Sequence, residues 1–241
     1  MTVATLDAVT AFRRTLYADV VGDADEQPAR SGSKLSAAVD NHDLVERCRA
    51  GDAEAFREIF RQYRSEVARL VHRMLGRSAD LEDIVQEVFL QVHRSIRDFQ
   101  GKSRFSTWLY RVTVNVVLMH RRAAKSRPVF AVAPDGLVPM DGRSLPDDQV
   151  ARLRRGRAFY RLLDRLSDKK RTVFVLHELE GMAPSEIAKV VGAPVLTVRT
   201  RLFYARRELL AMIREEPALA SLARELSDGL GSAGSPEKEP A

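Results

Sequence analysis

Cysteine and tryptophan are almost missing from this chain of 241 residues, with Cys48 and Trp108 the sole examples of each. One cysteine excludes an internal disulfide and any cysteine-built zinc site within the chain. The five histidines (His42, His72, His93, His120 and His177) are scattered, with no pair four residues apart, so no metal site is expected. Long apolar runs are missing too. The uncharged stretch from Val112 to Met119 falls far short of the roughly 20 residues that span a membrane. Asp7, Arg13 and Arg14 interrupt the N-terminus early, no secretory signal is evident, and the expected compartment is the cytoplasm. Alternating strand patterns of convincing length and internal repeats are absent as well. No cofactor, catalytic residue or small-molecule substrate is expected.

Charge, by contrast, is plentiful and unevenly placed. Residues 43–127 hold 17 basic and 11 acidic side chains, and 151–214 hold 15 and 6, for net charges of +6 and +9. The segments 1–42, 128–150 and 215–241 carry −2, −3 and −4. Two basic blocks therefore alternate with three acidic connectors or ends. Basic blocks suit a polyanion, most simply nucleic acid, although solvated helix faces on a basic protein compete as a reading.

Helical rhythm begins at Asp43. Leu44, Val45 and Cys48 open a helix stopped by Gly51, and Asp52 can cap the next. There Phe56, Ile59, Phe60, Tyr63, Val67, Leu70, Val71 and Leu75 follow the i, i+3, i+4, i+7 spacing of a buried stripe, ended by Gly76. A third helix opens at Asp80 with Leu81, Ile84, Val85, Val88, Phe89 and Val92 inward. A fourth begins near Ser103 or Ser106 and carries Trp108, Leu109, Val112, Val116 and Met119. Residues 128–150, rich in proline and glycine, show no period and are expected to be a flexible linker. Rhythm returns near Val150, with Leu153, Phe159, Leu162, Leu163 and Leu166 on one helix and Val173, Phe174, Leu176 and Leu179 on a second. A short helix is expected over Pro217 to Leu226. The fold expected is all-α: two small helical domains on a tether, flanked by an extension of weak pattern (1–42) and a polar tail.

From Pro184 the sequence meets the demands of a helix-turn-helix. Two steeply crossing helices need a small residue at their contact, a turn residue tolerant of positive φ and an apolar anchor in the second helix. Ala188, Gly192 and Val198 supply these at the required offsets. The second helix, opened by Pro194, turns Val198, Leu202, Ala205, Leu209, Met212 and Ile213 inward. Thr197, Arg199, Thr200, Phe203, Arg206 and Arg207 remain outward, where arginine can pair guanine edges and threonine or phenylalanine can meet thymine methyls. An amphipathic hairpin with a basic exterior satisfies the same spacing.

Two further segments are distinctive. Asp80, Glu82, Asp83 and Glu87 crowd one helix without a base among them, and Asp83, Gln86 and Glu87 share the face opposite the apolar stripe. Dipole complementation at the helix start and a divalent-metal site are the alternatives. Lys102 to Arg127 holds seven basic residues (Lys102, Arg104, Arg111, Arg121, Arg122, Lys125 and Arg127) and no acid, with Phe99, Phe105, Trp108 and Tyr110 interleaved or adjacent. Basic side chains can follow a phosphate backbone while a loop holds an unstacked base. Trp108 and Leu109 are assigned to the core rather than to DNA.

The run Asp80-Leu-Glu-Asp-Ile-Val-Gln-Glu-Val-Phe-Leu, then Phe105-Ser-Thr-Trp-Leu-Tyr-Arg-Val-Thr-Val-Asn, then Ser185-Glu-Ile-Ala with Thr197-Val-Arg-Thr-Arg-Leu, resembles the extracytoplasmic-function (ECF, group 4) sigma factors of the sigma-70 family. Residues 43–127 resemble sigma region 2 and 151–214 sigma region 4. The missing long region 3 matches the small subfamily. The resemblance implies a promoter-recognition subunit of RNA polymerase, not an enzyme. It implies that Asp80, Asp83, Gln86 and Glu87 dock on the polymerase β′ clamp coiled coil. Lys102, Arg104, Phe105, Arg111, Asn115, Arg121 and Arg122 would bind the −10 element, with a flipped base in the loop Phe99–Ser106. Thr197, Arg199, Thr200, Arg201, Phe203, Arg206 and Arg207 would serve the −35 element. Core polymerase (β′ clamp and β flap), promoter DNA and an anti-sigma factor, which would hold the protein at the membrane, are the implied partners. Two departures stand out: Arg201, where many such motifs are apolar, and Leu166-Ser167, where the family often has Leu-Pro. A helix-turn-helix regulator independent of polymerase and a metal-dependent nuclease are the competing functions.

Overall fold

The computed structural model describes residues 42–126, apart from 77 and 79, and residues 147–224. The extension 1–41, most of the expected linker and the end from 225 lie outside the described residues. Among those described, every regular element is helical. They fall into two compact units, one of residues 42–126 with 175–201, the other of 147–174 with 202–224.

The first unit starts with α1 (His42–Arg49), which buries Val45 and Cys48. Asp52 then caps α2 (Ala53–Leu75): its Oδ1 accepts from the N–H groups of Glu54 at 2.8 Å and Ala55 at 3.1 Å. Ile59, Tyr63, Val67, Leu70 and Val71 form its buried stripe, as the spacing predicts; Phe56 and Phe60 are only half-buried, and at the helix end Met74 is buried in place of Leu75. Gly76 (φ +78) closes the helix by donating to the His72 carbonyl at 2.7 Å, in a conformation that a Cβ would strain. Next, α3 (Leu81–Ser95) buries Ile84, Val85, Val88, Phe89 and Val92 and runs into a 3₁₀ turn, Ile96–Asp98. Finally α4 (Phe105–Ser126) packs against both α2 and α3 through a core that includes Leu109, Val116 and Val117. Each such side chain contributes about 1.5–3 kcal/mol of burial. Phe60 and Phe89 meet edge to face at 4.7 Å between α2 and α3.

The same unit contains a π-helical turn, Val175–Leu179, followed by α7 (Pro184–Val191) and the first turns of α8 (Val195–Glu215). The N–H of Glu180 reaches five residues back to the Val175 carbonyl at 3.0 Å. A buried ion pair joins Arg73 of α2 to Glu180 at 2.8 Å.

In the second unit α5 runs from Asp147 to Arg165, starting earlier than the periodicity places it and taking residues 147–150 from the expected linker. It buries Phe159, Leu162 and Leu163. Then α6 (Asp168–Phe174) buries Val173 and Phe174, and the later part of α8 buries Leu202, Ala205, Leu209 and Ile213. Met212, expected inward, is only half-buried. Arg171 is buried and pairs with Asp164 at 2.5 Å. The expected terminal helix begins as a 3₁₀ turn, Pro217–Leu219, and buries Leu219 and Leu222.

Candidate nucleic-acid interface

Helical phase decides what α3 shows to solvent. With Ile84, Val85, Val88, Phe89 and Val92 inward, Asp83, Gln86 and Glu87 emerge together and exposed. Glu87 lies 3.6 Å from Arg94, an exposed pair that holds it only weakly. Leu90, half-exposed, sits three and four residues beyond Glu87 and Gln86, so this face is acidic with an apolar centre. Sequence reasoning overlooked Leu90, although its position out of phase with the buried stripe was visible. Asp80 stands apart: it makes no side-chain cap bond and lies 3.7 Å from His120 of α4. Glu82 pairs with Arg64 of α2 at 2.7 Å.

Ahead of α4, residues 99–104 form a loop whose Gly101 has φ +66 and whose Lys102 and Arg104 are exposed. Phe105 is not on that surface. It is buried against Tyr63 (5.4 Å between ring centroids), Phe99 (5.9 Å) and Trp108 (5.6 Å). The half-buried Trp108 packs in this cluster, on the core side as its sequence position suggests. Along α4, Asn115, Met119 and Arg122 are exposed in register. Arg121 is buried instead, because it follows Val114 and Val117 at i+7 and i+4 along a buried stripe. Arg111 is exposed, but its guanidinium donates to the carbonyls of Lys189 and of Val190 (3.3 Å) at the C-terminal end of α7, where carbonyls lack helical partners. Tyr110 is buried beside Glu180 and Glu66; burial foremost, then those two carboxylates, holds its hydroxyl well above the usual tyrosine range.

The helix-turn-helix is built as its spacing requires. The Glu186 carboxylate accepts from the Ala183 N–H at 2.9 Å, starting α7. At the turn Gly192 adopts φ +63 and ψ +41, the left-handed region that side chains resist. Its N–H and that of Ala193 both go to the Ala188 carbonyl. Ile187, Val190 and Val198 are buried, fixing how α8 leaves the turn. On α8, Leu196, Arg199 and Thr200 are exposed, as are Phe203 and Arg207 further along. Thr197, Arg201 and Arg206 are half-buried, so they contribute edges rather than an open face. No group of three or more potential metal ligands occurs among the described residues, and no described helix is long and apolar enough to cross a membrane.

Such a scaffold, with a helix-turn-helix and a second basic helix preceded by an acidic one, is that of a helical DNA-binding protein. Comparison with known proteins narrows the class. Family models for sigma-70 region 2 and sigma-70 region 4 match residues 59–127 and 156–209. The ECF RNA polymerase sigma-E factor of Haemophilus influenzae is 36% identical over 170 residues, covering 68% of this chain and 89% of that protein. The ECF sigma factor SigW of Bacillus subtilis is 32% identical over 181 residues, 71% of this chain and 95% of its own. A solved structure of CnrH, in complex with the cytosolic domain of CnrY, superposes with a TM-score of 0.54 at 22% identity, over 74% of this chain and 99% of that one. The chain belongs to the ECF sigma factors of the sigma-70 family: it is a promoter-specific transcription initiation factor, not an enzyme.

Proposed function

We propose that three separate helix faces divide the work of initiation in this sigma factor. Residues 43–127 act as region 2. The exposed Asp83, Gln86 and Glu87 of α3, centred on Leu90, engage the β′ clamp coiled coil, with Asp80 at the edge of that face. Lys102, Arg104, Asn115 and Arg122 form the −10 surface. Phe105 and Arg121 support it from beneath, and Arg111 joins it once released from α7. Residues 151–214 act as region 4: α8 reads the −35 element through Arg199, Thr200 and Phe203, flanked by Thr197, Arg201, Arg206 and Arg207, and this segment meets the β flap. An anti-sigma factor that covers these faces is the resting partner, and the protein works in the cytoplasm on the nucleoid.

The observation that carries the reading is the common exposure of Asp83, Gln86 and Glu87 on a helix whose other side buries Ile84, Val85, Val88, Phe89 and Val92. A regulator that only binds duplex DNA has no use for an acidic face beside its basic one. Co-purification with core polymerase tests it. Asp83→Arg with Glu87→Arg, both at exposed positions, is expected to abolish association while leaving the melting temperature unchanged. Retention of the double variant on core polymerase would refute this docking face.

A further inference from the structure

Leu196 is the most exposed of the large apolar side chains among the described residues, at 74%. It lies in the first turn of α8, whose packing anchor two residues on, Val198, is fully buried. Nothing in the packing of that turn requires a leucine facing water. Three and four residues further along, on the same side of the helix, stand Arg199 and Thr200, both exposed. The Thr200 hydroxyl donates to the Leu196 carbonyl at 3.0 Å. Its proton is thus committed to the helix backbone, which leaves the oxygen able only to accept and the methyl free for an apolar contact. Leucine and threonine carbons therefore make a small apolar spot beside one guanidinium.

The second helix of a helix-turn-helix presents its N-terminal residues to base edges in the major groove. The apolar group displayed there is the C5 methyl of thymine, whereas arginine pairs guanine O6 and N7. We propose that Leu196, with the Thr200 methyl, reads a thymine methyl in the −35 element, next to a base pair addressed by Arg199. The inference deepens, and rests on, the reading of α8 as the −35 helix. Duplex DNA is favoured over a protein partner because the spot is bordered by an exposed cation and lies in a segment of net charge +9.

The test uses the full chain assembled with core RNA polymerase. Duplex promoters with a randomised −35 element are selected by this holoenzyme, and each thymine of the selected element is then replaced in turn by deoxyuridine, which deletes only the methyl. At one position the replacement is expected to lower promoter affinity about three- to fivefold, the worth of one buried methyl group. In Leu196→Ala, and in Leu196→Gln, which keeps length but adds polarity, the same replacement is expected to have almost no further effect. Unchanged melting temperatures of both variants confirm that they fold. Equal sensitivity to deoxyuridine in the parent and both variants, or sensitivity at no position, overturns the proposal while leaving the sigma assignment of α8 intact. Selection of no −35 sequence at all would instead overturn that assignment and the proposal with it.

Discussion

Asp52 joins α1 to α2 through one carboxylate. One oxygen accepts the two N–H groups at the start of α2, and the other accepts the Arg47 guanidinium at 2.6 and 2.9 Å. The Ala55 N–H first, then Arg47, hold its carboxyl below the usual aspartate range. A depressed folded value means that the charged form adds stability at pH above the unfolded value, and that this is lost as pH falls through the folded value. Asp52→Asn keeps a competent cap but removes the charge. Denaturant midpoints measured from pH 7 down to pH 2 are expected to fall less steeply for this variant than for the parent; parallel curves would contradict the linkage. Cys48 behaves differently. Burial pushes its thiol up to about 11, so it stays protonated near neutral pH and serves as a small apolar side chain.

Helices α1 to α4 were legible because each has one buried stripe at helical spacing, and Gly51, Gly76 and Gly192 fall where the chain must leave a helix. Harder to see was the π turn at Val175–Leu179. Val173 to Leu176 are all buried, and where every side of a helix is apolar its periodicity carries no information about an extra residue in a turn. Residue type misled at Phe105 and Arg121, both taken as DNA-binding. Phe105 shares its helix phase with Leu109 and Val112, and Arg121 shares its own with Val117, so both turn inward. The same phase argument, applied to apolar residues lying off the stripe, would have found Leu90 and Leu196. No local signal announced the Arg73–Glu180 pair, which joins segments distant in sequence. Both side chains are nearly inaccessible, at 7% and 4%. Removing one partner from such a pair strands the other charge, at a cost of about 3 kcal/mol, whereas neutralising both costs far less. Arg73→Met is therefore expected to lower the urea midpoint more than Arg73→Met with Glu180→Gln. The reverse order would show that the pair adds nothing.

Across the whole chain, charge alternates between basic blocks and acidic ends. The boundary of the C-terminal end is sharpened by Leu219 and Leu222, which are fully buried and therefore belong to the helical body rather than to a tail beginning at 215. Residues 225–241 hold four acids and one base. If these carboxylates compete with DNA for the basic faces, deleting 225–241 raises affinity for non-specific duplex at 50 mM salt, and the gain shrinks as salt screens it. Equal affinities at low salt would count against that competition.

At the same scale, the chain is a promoter-specific sigma factor, and the faces proposed on α3, α4 and α8 would serve initiation only together with core polymerase. Transcription by core enzyme with and without this protein, on a library of genomic fragments with mapped start sites, tests that claim most directly. The account predicts discrete starts that appear only when the protein is added and that share sequence elements near −35 and −10. Starts unchanged by its addition, or spread without common elements, would contradict it.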